Sequence, residues 1–176
     1  MDIIVNKITG IEELRGANTT TLKNGVSNQN LETAYLFEHS PIRTQVFYIK
    51  LKDIYSFVSV HLVRHKIGVE HFVETNRADR GGDLNANRWT PVDHLMVINA
   101  QALINMMRDR LCLESSKETR TVCRKIVKEI AKHDSDLAKV LVPNCVYRNG
   151  ICNTGKKCGK FDEMMEKYSY YKHLFY

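Results

Sequence analysis

The chain has 176 residues, 43% of them hydrophobic and 26% charged, with 26 Lys and Arg against 20 Asp and Glu for a formal charge of +6. That is the size and composition of an ordinary soluble globular domain able to bury a core, and no apolar run approaches the roughly 20 residues of a membrane-spanning helix. The positive excess leans toward anionic partners: nucleotides, phosphorylated cofactors or nucleic acid. The opening MDIIVNKI has no signal-peptide pattern and the five cysteines are an odd number, so a cytoplasmic protein without disulfides is expected.

Taken in order, residues 2–8 alternate and predict a first strand. Residues 18–30 (NTTTLKNGVSNQN) are too rich in Thr, Asn and Gly for a helix and predict a loop. Asn30 is placed to cap a short helix that Pro41 stops. Residues 43–52, with their β-branched and aromatic side chains, predict a strand. Asp53 then reads as the cap of a helix reaching residue 65, with Ile54, Phe57, Val58 and Leu62 on one side and Gly68 after its end. Residues 68–75 read as extended and 77–89 as a loop.

Thr90-Pro91-Val92-Asp93 carries cap, first-position proline and first-turn acid, and predicts a helix running to about Leu111. Ser115 and Glu118 suggest a capping box for another helix through Ala131, and a short helix near Leu137 should end before Pro143. A cysteine-bearing loop at 143–160 and a tail at 161–176, able to form a last helix, complete the chain. The expected fold is α/β, or α+β, in a single domain spanning 1–176. A small mixed sheet would pack with long helices at 53–65 and 91–111.

Two stretches carry chemistry. Between His61 and Arg80 lie three arginines, three histidines, one lysine and three acids, interleaved with Leu62, Val63, Ile67, Val69, Phe72 and Val73. A phosphate site held on a buried scaffold needs both kinds of residue; an amphipathic helix followed by a half-buried strand is the competing reading. In INAQALINMMRDR (98–110), Asn99 and Asn105 are poor interior helix residues. On one continuous helix, Arg110 would return close to the azimuth of Asn99. Ligand binding explains such asparagines; exposed polar positions are the alternative.

Arg64-His65-Lys66, followed by Asn99-Ala100-Gln101, Asn105 and Arg110, resembles the motif order and spacing of the flavin-dependent thymidylate synthase family, and His39-Ser40-Pro41 is similar to that family's flavin-contacting segment. The resemblance spans roughly residues 35–125. Lys66 stands where the family has Arg, His61 where it has Gln, and residues 69–77 replace its Ser-x-Asn-Glu-x-Ser-x-Arg run, so that Arg77 matches the closing Arg only with a one-residue insertion.

The resemblance implies a homotetrameric, FAD-dependent methyltransferase. It would convert deoxyuridine monophosphate (dUMP) to thymidine monophosphate, with methylene-tetrahydrofolate as carbon donor, NADPH as co-substrate and no cysteine nucleophile. It implies that Ser40, Arg64, His65, Lys66, Asn99, Gln101 and Asn105 hold the flavin. His61, Arg64, Thr75, Arg77 and Arg110 would hold the nucleotide, with Arg110 as the catalytic cation that stabilises the ionised base. The alternative expectation is a diverged member that modifies another pyrimidine nucleotide, for instance by hydroxymethylation.

His61 and His65 have a helical metal-ligand spacing but lack a neighbouring Glu and a third ligand. Cys145, Cys152 and Cys158 are candidate zinc ligands with His133 or His173, although paired CxxC spacing is absent. Cys112 and Cys123 read as buried hydrophobes. A basic nucleic-acid-binding protein with a zinc module is the reading from a different class; it leaves Asn99, Asn105 and Arg110 without a role.

Overall fold

The computed structural model describes residues 1–154 and 156–171. The chain forms two compact units, Met1–Ala102 and Leu103–Tyr176.

The first unit is built on a four-stranded sheet of β1 (Asp2–Lys7), β2 (Val46–Tyr55), β3 (Val69–Val73) and β4 (Pro91–Asn99), in the order β1-β2-β4-β3. The fold class of a small sheet with several helices holds. Every pairing is antiparallel, however, where a mixed sheet was expected. Register puts one side chain in two on the core face: Val5 opposite Ile49, Ile49 opposite Met96, Phe47 opposite Ile98, and His71 opposite Met96. Phe47, Ile49, Leu51, Met96 and Ile98 are all fully buried.

Residues 91–99 are the principal correction. The Thr-Pro-x-Asp signal is local, whereas Val92, His94, Met96 and Ile98 recur every second residue and all are buried. As an inner strand flanked by β2 and β3, the segment satisfies its backbone on both sides. Pro91 is tolerated because it is the first strand residue. The expected helix therefore shrinks to α4 (Ala100–Arg110).

Asp53 is likewise not a helix cap. It sits inside β2 at φ +54°, in a bulge where the β2–β4 register shifts between Leu51 and Ile54. The helix after it, α3, runs Ser56–Val63. Residues 18–21 close α1 (Ile11–Thr21) rather than opening a loop. Thr20 and Thr21 donate their hydroxyls to the carbonyls of Gly16 and Asn18, so the threonines bond along the helix instead of breaking it. The fully buried Leu14 anchors α1, and the Glu13 carboxylate accepts from the Gly10 N–H at its start. Asn30 does cap α2 (Leu31–Leu36), its Oδ1 accepting from the Thr33 N–H at 2.8 Å.

In the second unit α5 (Lys117–Ile130) buries Val122, Cys123, Ile126 and Ile130, one stripe of a 3.6-residue period. Its cap is Ser116, which accepts from the Thr119 N–H at 3.2 Å, one residue beyond the expected Ser115. Asp134 caps α6 (Ser135–Val140). The cysteine-bearing loop contains a short α7 (Asn144–Tyr147), and the tail forms α8 (Phe161–Lys167), burying Met164 and Met165. Among the described residues no helix is long and apolar enough to cross a membrane.

Candidate functional site

The centre of the first unit's chemistry is the turn from α3 into β3. The last helical turn closes with the His65 N–H donating to the Leu62 carbonyl at 3.0 Å. Gly68, at φ +75°, then reverses the chain into β3. The turn carries Arg64 and Lys66, both exposed, around a half-buried His65. Arg64 and Lys66 line a cleft of about 430 Å³ with Ser59, Val60, Val63 and Val73. Two cations over apolar walls suit a phosphate-bearing aromatic ligand. A larger cleft of about 570 Å³ is lined by His71 and His94 together with Lys50, Glu74 and Asp93, whose two acids oppose an anion.

Asn99 sits against this turn. Its N–H donates to the Gly68 carbonyl at 3.0 Å and its Oδ1 accepts from the Ala102 N–H at 2.9 Å, which makes it the cap of α4. Asn99 and Asn105 therefore do not share a helix, and the azimuthal match of Arg110 with Asn99 does not hold. The side-chain Nδ2 of Asn99 lies 2.5 Å from where a Cβ on Gly68 would be. Gly68→Ala is thus expected to destabilise the fold by about 2 kcal/mol, through the left-handed backbone and the displaced cap. Urea unfolding measures this; an unchanged midpoint would show that the turn relaxes freely.

The remaining expected residues divide clearly. Gln101 donates to the Glu38 carboxylate at 2.6 Å, which ties it to the segment ending at the exposed Ser40. His61 meets Phe57 edge-on, with centroids 5.7 Å apart, beside a cluster in which Arg88 lies over Phe57 and Trp89. Thr75 accepts from the Arg77 N–H at 3.1 Å. Arg77 forms a two-pronged pair with Asp79 at 2.9 and 2.7 Å, in a loop so tight that a Cβ on Gly82 would clash with the Asn76 backbone.

In the second unit, Asn105 is exposed and accepts from Arg108, whose guanidinium lies 3.4 Å from the Tyr147 ring centroid. Arg110 is half-buried at the end of α4. Burial pushes the Cys123 thiol up to about 12, an effect that the Arg110 charge partly offsets.

Cys145 is half-buried in α7, Cys152 contacts the Thr154 hydroxyl at 3.3 Å, and Cys158 and His133 are exposed. Among the described residues no group of three or more His, Cys, Asp or Glu is placed to hold a metal. His173 lies outside the described residues.

Sequence reasoning missed His94. It is fully buried in β4, its Nδ1 is 3.0 Å from Ser59 Oγ and its Nε2 is 2.9 Å from His71 Nδ1. His71 Nε2 in turn lies 2.7 Å from the His65 carbonyl oxygen. Burial first, and the neighbouring His71 second, lower the His94 pKa from 6.5 to about 4. The available signal was a histidine among alternating apolar residues, hidden once the segment was read as a helix.

No family model matches the sequence, and no curated protein sequence matches it. Solved structures do match. Thymidylate Synthase X (ThyX) from Helicobacter pylori, crystallised with FAD and dUMP, superposes with a TM-score of 0.63 at 13% identity over 80% of this chain and 99% of that one. A UMP/dUMP methylase, PolB from Streptomyces cacaoi, bound with 5-Br dUMP, superposes with a TM-score of 0.59 at 13% identity over 79% and 94% of the two chains. The chain has the ThyX-like fold.

Proposed function

We propose that this protein binds FAD and methylates dUMP to thymidine monophosphate, taking its carbon from methylene-tetrahydrofolate, with NADPH as reductant. The observation that carries the reading is the Arg64-His65-Lys66 turn, whose Arg64 and Lys66 line an apolar-walled cleft in a chain of ThyX-like fold. The donor set fits a flavin nucleotide. Arg64 and Lys66 suit its phosphates, and the amides of Asn99 and Gln101 suit a polar ring edge. Ser40, His65 and Asn105 complete the flavin-binding set. When bound, the flavin supplies the redox chemistry, and the protein supplies binding and orientation.

His61, Arg64, Thr75, Arg77 and Arg110 are the proposed nucleotide contacts. Arg77 and Asp79 have side chains 65% and 60% exposed, so their ion pair is worth little and a substrate phosphate can compete for the guanidinium. We propose a homotetramer, the assembly that the resemblance implies; sedimentation reads this directly, and a monomer overturns it. The likeness to a UMP/dUMP methylase favours a second reading, a related pyrimidine nucleotide as substrate, which comparing dUMP with UMP in the same assay separates.

The deciding experiment is a flavin spectrum. The purified protein should be yellow or take up added FAD, and Arg64→Ala should weaken uptake about tenfold, the size of one charge-assisted hydrogen bond. A colourless protein that leaves flavin fluorescence unchanged overturns the proposal and puts nucleic-acid binding in front.

A further inference from the structure

The hydrogen-bond chain Ser59–His94–His71–His65 takes its direction from the His65 carbonyl together with a neutral His71. The His65 carbonyl can only accept, so His71 Nε2 carries a hydrogen. With His71 neutral, its Nδ1 accepts, which puts a hydrogen on His94 Nε2. His94 Nδ1 is then an acceptor, and the Ser59 hydroxyl is its donor. Because the chain ends on a carbonyl, it cannot deliver a proton onward; what it does is hold a backbone group in place.

We propose that His71, His94 and Ser59 are positioning residues. Through the His65 carbonyl they hold the turn that presents Arg64 and Lys66 to the cleft. The proposal rests on that cleft being the ligand site named above. Three features support the assignment.

The His65 carbonyl lies just past the end of α3 and has no helical partner, and on an exposed turn water would ordinarily take it. Here an imidazole from β3 takes one, and that imidazole is itself held by a fully buried residue of β4. β4 pairs on both sides, so the anchor is among the best-held positions of the sheet. Finally, the two cations flank the held residue directly in sequence and are exposed, so their long side chains gain most from a backbone that is already ordered before binding.

The test combines a reading on the unaltered protein with two variants. Nitrogen-15 NMR of the parent should show both His71 and His94 as Nε2–H tautomers; a hydrogen on His94 Nδ1 overturns the direction of the chain and with it the proposal. His71→Phe removes both contacts, whereas His71→Gln offers one donor and one acceptor side by side. In folded, ligand-free His71→Phe, the amides of residues 65–68 should exchange about tenfold faster, and FAD should bind about tenfold more weakly, the scale of one net hydrogen bond. His71→Gln should recover most of both.

Parent-like exchange in folded His71→Phe overturns the proposal. If the parent takes up no FAD, the functional reading fails, while amide exchange and tautomers still decide the positioning role. If His71→Phe does not fold, the parent tautomers and the exchange in His71→Gln decide it.

Discussion

Acidification from pH 6.5 to about 4 is expected to remove about 3 kcal/mol of folding stability through His94 alone, and His94→Gln should abolish that component. The cause is burial, reinforced by His71, which keeps His94 neutral in the fold down to about pH 4. The unfolded chain takes up that proton near 6.5. Between the two values the unfolded state binds more protons, so stability falls as pH falls, by about 1.4 kcal/mol per pH unit. Above 6.5 the contribution is fully present. Urea unfolding across this window checks it, with the difference between parent and His94→Gln isolating one histidine from the carboxylates that titrate alongside. Parallel curves would mean that His94 accepts a proton in the folded state without penalty.

Arg110→Lys should fold normally, keep its flavin and lose roughly 10²-fold or more in dUMP methylation, the size of one electrostatic transition-state contact. Arg110 stands at the end of α4, where helix carbonyls create a negative field that suits any cation. Were this its whole role, lysine would substitute within a few tenths of a kcal/mol, since only the sign of charge counts there. A role in stabilising the ionised base needs the planar, forked guanidinium, which lysine lacks. Single-turnover rates with bound flavin separate the two; parent-like activity would reduce Arg110 to a helix-end charge.

The elements legible in the sequence were those whose signal is complete within a few residues. Asn30 before an apolar run is a cap wherever that run lies, and the stripe Val122, Cys123, Ile126 and Ile130 specifies a buried helix face without reference to any partner. The cationic turn was legible for the same reason: Arg64, His65 and Lys66 are contiguous, and Gly68 marks the reversal. The family resemblance put that turn and Asn99 in one expected flavin-binding set; the backbone hydrogen bond between Asn99 and Gly68 was not legible in the sequence.

Tertiary structure decided the rest, and chiefly the fate of residues 91–99. A first-position proline and an acid favour a helix locally, but β2 and β3 offer backbone partners on both sides of this segment, the β2 partners 36 to 53 residues away in sequence. Pairing with both outweighs a cap signal worth about 1 kcal/mol. Once the segment is a strand, His94 turns inward beside Ser59 and His71, Asn99 becomes a cap rather than a mid-helix residue, and Asp53 is drawn into a bulge. Residue types and their local order were written in the sequence; which of them face one another depended on strand pairing, because the partners that set the register lie too far along the chain for any local pattern to carry.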